Sequence, residues 1–461
     1  MRRACLALLI STVALIGQQS GRRQVSLIVT NATVVTMDAA ARVLTPGAIA
    51  IDGRDIIAVD SPAAVEKQYA AKESIDANGQ VVLPGLINTH THAPMVLYRG
   101  LADDLALMDW LQKYIFPAEA KTVTPEFVRA GTRLATLEMI QSGTTTYADM
   151  YYFEEEIGRV TREAGLRGVL GQTIIKFPVA DAKTPEESIA RTGRFVQEFA
   201  KDDLIVPAIA PHAMYTLETS TLKAIRAFAD REQVPVITHL AETQDEVKTA
   251  REQFKTTPVE YLDSIGFWGP RTLAAHAVWV TASDIRTLAD RHVGVAHNPE
   301  SNMKLASGTS PVPDLRKAGV AVGLGTDGAA SNNDLDMFEA MRQAAFLHKL
   351  KTGDPRAIPA LVALQMATIE GARALGLEQQ IGSLEVGKRA DLIVVSMSAA
   401  RQTPMYDPVS HLVYVTRGDD VRTTIVNGRV LMRDRRVLTL NESSVLAEAR
   451  AWAEKVRAAV K

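Results

Sequence analysis

The chain has 461 residues, of which 47% are hydrophobic and 23% are charged, so it is long enough for a large core and at least two structural units. Its 51 basic and 53 acidic side chains leave a formal charge of -2, which excludes a broad basic surface for nucleic acid phosphates. We therefore expect a small-molecule substrate and no nucleic-acid partner.

Residues 1–21 have the pattern of a secretory signal. Arg2 and Arg3 precede the apolar run Ala4–Gly17, which is too short for an ordinary bilayer-spanning helix. The pattern predicts an exported protein, periplasmic or secreted, with no stable membrane span after leader removal. A retained anchor, or a cytoplasmic protein whose leader does not function, stays open. Cys5 is the only cysteine, so a mature chain would hold a metal through histidine and carboxylate alone.

Both ends of the remaining chain are strand-like. Residues 25–82 contain a hairpin pattern around Asp52–Gly53, and residues 383–440 contain a second one around Asn427–Gly428. Neither set of short strands could bury a core alone, so we predict one composite β-sandwich built from both chain ends. Residues 441–461 predict a C-terminal amphipathic helix.

Residues 83–380 alternate short apolar runs with helical stretches. Thr124 before Pro125, and Thr281 with Asp284, are typical helix starts. Eight repeats of this kind in one block favour a closed (β/α)₈ barrel of the TIM type over an open sheet. The predicted barrel strands are Val81–Asn88, Thr144–Ala148, Gly168–Thr173, Ile205–Ala210, Pro235–Thr238, Thr272–Ala275, Val293–Ala296 and Val320–Gly325.

Histidines gather at the carboxyl ends of these strands, which is the rim where barrel enzymes build their sites. His90 and His92 are two residues apart, so the strand period places both imidazoles on one face. Such a pair alone is more often a surface or structural feature than a metal site. Six of the nine histidines lie at strand ends, namely His90, His92, His212, His239, His276 and His297.

The fifth, sixth and eighth strands add further donors. His239 ends the fifth strand, His276 ends the sixth, and Asp327 follows the eighth. A buried carboxylate at a strand end is costly unless it is paired or bound to a metal. Three imidazoles, a carboxylate and a water would suit one divalent ion, with Zn²⁺ favoured and Fe²⁺ or Mn²⁺ as alternatives.

Longer motifs around these residues resemble the amidohydrolase superfamily, metal-dependent hydrolases with a (β/α)₈ barrel. Within it they resemble the 5-methylthioadenosine/S-adenosylhomocysteine deaminases, over nearly everything except the leader and the last helix. The segments that carry the resemblance are Pro84–His92, Asp109–Leu111, Phe116–Ala120, Pro211–Thr216, Asn298–Gly308 and Gly325–Asn333.

The resemblance implies a role for each residue of the cluster. Glu242 would take a proton from the attacking water and pass it to a purine ring nitrogen, acting as general base and then acid. His276 would steady the developing oxygen charge, and Asp327 would move the second proton towards the leaving ammonia. The implied ligands of the water-activating ion are His90, His92, His239 and Asp327.

For the substrate, the resemblance places Glu119 on the two ribose hydroxyls and His212 on a purine nitrogen. Trp110 would form a wall of the site, while Glu242 and Ser331 would also contact the ligand. Taken singly, each residue also fits a structural role: Glu119 as an exposed helix charge, Trp110 as a core aromatic and His212 as a loop brace.

The implied reaction is hydrolytic deamination of an adenosine-type nucleoside to the inosine analogue and ammonia, a cleavage of a C–N bond in a cyclic amidine. The candidate substrates are 5′-methylthioadenosine, adenosine and S-adenosylhomocysteine. Lys176 follows the third strand, where arginines are expected in relatives that accept the last of these, and it cannot form a bidentate pair. The first two are therefore favoured.

Two other interpretations stay open. One is a related aminohydrolase or chlorohydrolase that acts on a guanine, a pterin or a triazine and keeps the metal site without needing Glu119. The other is a non-catalytic barrel that only binds a ligand. Assembly into a homo-oligomer is also left open by the sequence.

Overall fold

The structure is a computed structural model that describes residues 21–460, so the predicted leader lies outside the described residues except for its last position. No helix within residues 21–460 combines the length and apolar character needed to cross a bilayer.

The amino-terminal strands form one half of a mixed sheet. β1 is its longest strand and pairs with β2 in antiparallel fashion and with β4 and β5 in parallel. The five strands are β1 (Arg23–Val35), β2 (Val43–Asp52), β3 (Asp55–Asp60), β4 (Tyr69–Asp76) and β5 (Gln80–Pro84).

Eight parallel strands then form the barrel in the order in which they occur in the chain. The first and last are linked by hydrogen bonds from the Asp327 amide to the His90 carbonyl (2.9 Å) and from Thr89 Oγ1 to the Leu324 carbonyl (2.8 Å). These strands are β6 (Leu86–Thr91), β7 (Thr144–Tyr151), β8 (Arg167–Ile174), β9 (Ile205–Pro211), β10 (Val236–Leu240), β11 (Thr272–His276), β12 (Gly294–His297) and β13 (Val322–Leu324).

The carboxyl-terminal strands complete the first sheet, as predicted. β14 pairs with β5 in antiparallel register, with Ile393 opposite Leu83, and so joins the two ends of the chain. All nine strands belong to one hydrogen-bonded sheet in the order β17-β16-β15-β14-β5-β1-β2-β3, with β4 paired to β1. The last four are β14 (Leu392–Ser396), β15 (Val421–Val426), β16 (Arg429–Arg433) and β17 (Arg436–Val437).

The predicted strand Val81–Asn88 is wrong as a single element, because the chain changes sheets at Gly85. The Gly85 amide donates to the Asp391 carbonyl of the small sheet (3.0 Å), and the next amide donates to Gly143 beside the barrel (3.0 Å). A Cβ at Gly85 would overlap the Thr145 side chain, so only glycine fits this crossing.

Helices cover the outside of the barrel, and α1 packs on the small sheet. Thr124 and Thr281 cap α4 and α10 as predicted, each accepting a hydrogen bond from the amide three residues on. The helices are α1 (Pro62–Gln68), α2 (Leu107–Trp110), α3 (Phe116–Thr122), α4 (Pro125–Ser142), α5 (Glu154–Ala164), α6 (Pro185–Phe199), α7 (Thr219–Glu232), α8 (Gln244–Phe254), α9 (Pro258–Ser264), α10 (Ala282–Asp290), α11 (Pro299–Lys304), α12 (Val312–Lys317), α13 (Met337–Thr352), α14 (Ala360–Met366), α15 (Ile369–Ala374), α16 (Pro408–Tyr414) and α17 (Glu442–Val460).

The terminal helix α17 is attached to the barrel rather than to the small sheet. Trp452 packs edge-on against Phe127 of α4, with ring centroids 5.4 Å apart. Arg133 of α4 also pairs with Glu448 (3.1 Å). The helix therefore packs on α3 and α4 of the barrel.

A buried ion pair connects the barrel to the small sheet. Arg167 at the start of β8 contacts Asp391 beside β14 (Nε–Oδ2 3.0 Å), and both side chains are buried. Asp391 also accepts the Asn427 amide, and Arg167 also donates to the Asp203 carbonyl. The hydrogen bonds of both groups are thus satisfied across the junction.

We expect Arg167→Met to lower the free energy of unfolding by about 3–5 kcal/mol, because the Asp391 carboxylate would stay buried without its cation. Urea unfolding followed by circular dichroism measures the loss. Arg356→Met, which removes the partner of Asp354 in an exposed pair, is the matched control and should change little. Equal unfolding curves for the two variants would contradict this role for Arg167.

Candidate active site

The structure brings the predicted cluster together at the carboxyl end of the barrel. His90 and His92 come from the end of β6, His239 from β10, His276 from β11, and Asp327 from the turn after β13. Asp327 Oδ1 lies 3.5 Å from His90 Nε2 and 3.4 Å from His92 Nε2. The Nε2 atoms of His92 and His239 are 3.4 Å apart. Residues far apart in the sequence thus place their donor atoms around one point.

Hydrogen bonds behind the rings orient the imidazoles. His92 Nδ1 lies 2.6 Å from the Met150 carbonyl, and His239 Nδ1 lies 2.8 Å from the His212 carbonyl. Carbonyl oxygens only accept hydrogen bonds, so the proton of each ring sits on Nδ1. The Nε2 atoms therefore face the cluster and are the nitrogens available to a metal.

The donor set fits a divalent ion. Both ring nitrogens of His90 are buried without a hydrogen-bond partner among residues 21–460, which costs about 1–3 kcal/mol for each unsatisfied group. Burial also lowers the pKa of His90 to about 4, so this imidazole is neutral and able to coordinate. Three imidazole nitrogens and one carboxylate form a typical zinc or iron(II) ligand set.

His276 has a different environment from the other three histidines. Its Nε2 lies 3.9 Å from Glu242 Oε2 and 4.0 Å from Asp327 Oδ2. Burial alone would lower its pKa, but the charges of these carboxylates raise it above the usual value. Asn302 Oδ1 lies 2.9 Å from His276 Nδ1 and holds the ring in this position. His276 can therefore carry a proton beside the cluster.

The backbone at two strand ends adopts a left-handed conformation. His276 has φ 74° and Asp327 has φ 63°, which non-glycine residues rarely adopt and which costs on the order of 1–3 kcal/mol each. Asp327 is held there by Ser301 Oγ (2.7 Å) and by the Gly328 amide (2.8 Å). The strained backbone turns both side chains towards the cluster.

Glu242 follows β10 and is buried beside the cluster. Burial raises the pKa of its carboxyl group, and the nearby His276 opposes that shift. Glu246 holds the turn, since its carboxylate accepts the amides of Ala241 (2.9 Å) and Glu242 (3.1 Å). Glu246 was not among the residues predicted from the sequence, although its position four residues after Glu242 at the start of α8 was a signal for it.

A cavity opens above the cluster. Apolar side chains supply most of its wall, among them Met95, Leu107 and Leu305. His90 lies outside this lining, because its ring is fully buried below the cavity. The other predicted site residues all line it: His92, Trp110, Glu119, His212, His239, Glu242, His276, Asp327 and Ser331.

Glu119, in α3, is a further buried carboxylate of the cavity wall. Tyr151 Oη donates a hydrogen bond to its Oε1 (2.7 Å), and no arginine or lysine lines this cavity among the described residues. Burial without a cation raises the pKa of Glu119 to about 7. Tyr151 and Tyr152 were not among the predicted site residues, because the predicted strand ended at Ala148 and β7 continues to Tyr151.

His212 and Ser331 also line the cavity, in different ways. Burial lowers the pKa of His212 to about 3, so its ring is neutral. Its Nδ1 lies 3.4 Å from Thr216 Oγ1. Ser331 Oγ already donates to the Gly328 carbonyl (3.1 Å) and lies 3.2 Å from Ser301 Oγ. A ligand contact from Ser331 would therefore use its remaining acceptor capacity.

Comparison with known proteins agrees with this geometry. The sequence profile of the amidohydrolase family matches residues 81–431, which includes every residue of the cluster. The chain belongs to the amidohydrolase family. Its barrel and its composite small sheet are those of an amidohydrolase fold.

Similar amidohydrolases carry names that refer to nucleosides. The chain is 46% identical to a 5-methylthioadenosine/S-adenosylhomocysteine deaminase of Syntrophobacter fumaroxidans, over 95% of this chain and 100% of that one. It is 46% identical to a 5′-deoxyadenosine deaminase of Methanosarcina acetivorans, over 93% of this chain and 98% of that one. A crystal structure of an adenosine deaminase from Xanthomonas campestris with bound zinc superimposes with a TM-score of 0.93 at 39% identity, covering 95% and 100% of the two chains.

The raised pKa of Glu119 predicts a stability effect that depends on pH. A folded-state pKa of about 7 against a usual 4.5 means that folding opposes ionisation of this carboxyl group. The resulting loss of folding stability is absent below pH 4.5 and complete above pH 7. We expect Glu119→Gln to stabilise the protein at about pH 8, on the order of 3 kcal/mol, and to have little effect near pH 4.5.

Thermal unfolding at the two pH values measures this difference. Glu163→Gln, at an exposed position of α5, is the control and should leave both midpoints unchanged. An equal shift of the Glu119→Gln midpoint at both pH values would show that ionisation of this carboxyl group is not opposed by burial.

Proposed function

We propose that this amidohydrolase removes the 6-amino group of an adenosine-type nucleoside by hydrolysis, releasing the inosine analogue and ammonia. The observation that carries the proposal is one cavity that joins the histidine–aspartate cluster and the buried Glu242 to a second buried carboxylate, Glu119. The names of the relatives from Syntrophobacter, Methanosarcina and Xanthomonas support the same chemistry.

The cluster would hold one divalent ion through three imidazoles and a carboxylate. Zinc is the first candidate, because it is bound in the Xanthomonas structure, with Fe²⁺ or Mn²⁺ as alternatives. When bound, such an ion lowers the pKa of water towards neutrality. The proposed ligands are His90, His92, His239 and Asp327.

Proton transfer falls to three side chains. Glu242 has a raised pKa, so its carboxylate can take a proton from water and release it to a purine ring nitrogen. His276 carries a proton that can be donated to the oxygen developing at C6. Asp327, within 4.0 Å of His276, is placed to pass the second proton towards the amino group that leaves as ammonia.

The substrate would be oriented by the groups around the rest of the cavity. An ionised Glu119 can accept a hydrogen bond from each of the two ribose hydroxyls. These bonds are stronger than those between neutral groups because the acceptor is charged. His212 is neutral and can pair with a purine nitrogen. Trp110 and the apolar wall exclude water from the ring.

A second cavity favours a neutral group at the 5′ position. It shares Phe116, Glu119 and Tyr152 with the main cavity, so it continues from the carboxylate that would hold the ribose. Phe177 packs edge-on against Phe116, with centroids 5.7 Å apart. Val179 and its neighbours complete the lining, which contains no lysine or arginine from residues 21–460. A methylthio or methyl group fits this surface, whereas a free amino-acid carboxylate would find no cation there.

Export from the cytoplasm is also proposed, supported only by the basic start and apolar run within residues 1–21.

Ammonia release from a panel of aminopurines tests the proposed function. With zinc-loaded protein we expect 5′-methylthioadenosine, 5′-deoxyadenosine and adenosine to be deaminated, S-adenosylhomocysteine about tenfold less efficiently in kcat/KM, and guanine not at all. Chelation should abolish the activity until metal is restored, and Glu242→Gln should lower kcat by about 10²–10⁴ because the proton carrier is lost. Turnover of guanine, a pterin or a triazine in place of the nucleosides would favour the alternative aminohydrolase. No turnover of any of these compounds would favour the interpretation that the barrel only binds a ligand.

The proposed role of Glu119 has a separate test. Glu119→Gln should raise KM for adenosine about tenfold, through loss of two charge-assisted hydrogen bonds, and should have little effect on 2′,3′-dideoxyadenosine, which lacks both hydroxyls. The wild-type KM for adenosine should also rise as the pH falls through about 7, where Glu119 becomes protonated. Equal losses on both nucleosides would remove Glu119 from ribose recognition.

A further inference from the structure

The segment that carries His92 is held by two consecutive residues of β7. Asp149 Oδ1 accepts hydrogen bonds from Thr91 Oγ1 (2.5 Å) and from the Ala93 amide (2.6 Å), the residues on either side of His92. The carbonyl of Met150 holds the His92 ring itself (2.6 Å). Asp149 therefore fixes the backbone around the imidazole, and Met150 fixes its orientation.

A second buried carboxyl group, that of Glu154, lies beside Asp149. Asp149 Oδ2 and Glu154 Oε2 are both fully buried, and no N–H or O–H group of residues 21–460 donates to either. The two carboxyl groups are within hydrogen-bonding reach of each other. Two ionised carboxylates would repel strongly here, whereas one proton between them satisfies both oxygens.

The surrounding donors indicate which carboxyl group carries the proton. Asp149 already accepts two hydrogen bonds, which stabilise its ionised form, while Glu154 accepts one, from the Tyr151 amide (2.8 Å). Burial raises the pKa of Asp149 to about 6 and that of Glu154 well above its usual range. Glu154 is thus the acid and Asp149 the carboxylate.

We propose that Glu154 is a positioning residue whose carboxyl O–H donates to Asp149 and thereby holds the Thr91–Ala93 segment, and with it the His92 imidazole, in place for metal binding. This inference rests on the proposed function only in taking His92 as a ligand. It adds a role for a helix-start carboxyl group that touches neither metal nor substrate.

A merely structural role is the competing explanation. Glu154 is the first residue of α5, where a carboxylate would ordinarily interact with the helix amino terminus. Glu155 follows it and is paired with Arg191 instead. A helix-start role predicts lower stability on substitution but an unchanged metal site, so the state of the metal site distinguishes the two.

The test uses cobalt(II) as a spectroscopic probe of the full-length protein. Glu154→Gln keeps a donor, because its amide N–H replaces the O–H, whereas Glu154→Leu keeps the size and removes the donor. We expect the Gln variant to bind Co²⁺ within about twofold of wild type with the same visible spectrum. The Leu variant should bind about 10–100-fold more weakly with an altered spectrum. Glu155→Leu is the matched control and should leave the cobalt site unchanged.

Three results would overturn the inference: a Leu variant that loses thermal stability but keeps wild-type cobalt affinity and spectrum, a Gln variant as defective as the Leu variant, or wild-type protein without stoichiometric cobalt.

If the Leu variant does not fold, Asp149→Asn provides the second measurement. In this variant the side-chain NH₂ group donates to Glu154, so the hydrogen bond between the two residues runs in the opposite direction. The side-chain oxygen still accepts hydrogen bonds from Thr91 and Ala93. The net charge of the two side chains together does not change. A loss of cobalt affinity above about tenfold in this variant would also count against the inference.

Cobalt binding is measured without substrate, so the two proposals can fail separately. Absence of deamination with the expected cobalt results would remove the proposed function alone. Deamination with unchanged cobalt binding in Glu154→Leu would remove the positioning role alone.

Discussion

The structure depends on one costly arrangement, the burial of several unprotonated imidazole nitrogens and a carboxylate around a single point. Burial keeps His90 and His239 neutral, so the nitrogen lone pairs that they direct to this point repel one another where water cannot solvate them. A cation relieves that repulsion, and without one the barrel has to hold the donors in place by its own packing and hydrogen bonds. This explains why the strongest local constraints of the barrel are found at the carboxyl ends of its strands.

Those constraints come from each neighbouring element in turn. The Met150 carbonyl of β7 and the His212 carbonyl just after β9 hold the far sides of two imidazoles, and Asn302 holds a third. The left-handed backbone at His276 and Asp327 stores strain that these contacts balance. A site built in this way is rigid before any ligand arrives, which favours selective binding because little ordering remains to be done.

The cluster and the barrel could be predicted from the sequence because both follow from local periodicity. The strand period places His90 and His92 on one face, and equivalent strand ends meet at one rim. The break at Gly85 could not be predicted, because it depends on the approach of Thr145 from a strand sixty residues further along the chain. The Asp149–Glu154 contact and the second cavity were also missed, since each is created by side chains from elements that only the fold brings together.

The joining of the two chain ends has a consequence for biosynthesis. β5 leaves its edge unpaired until β14 has been made, about 300 residues later in the chain. At 5–20 residues per second, a ribosome needs roughly 15–60 seconds to supply that partner. For that time this edge of β5 has no partner, and an unpaired apolar edge favours aggregation, a liability that a fold with adjacent partner strands avoids.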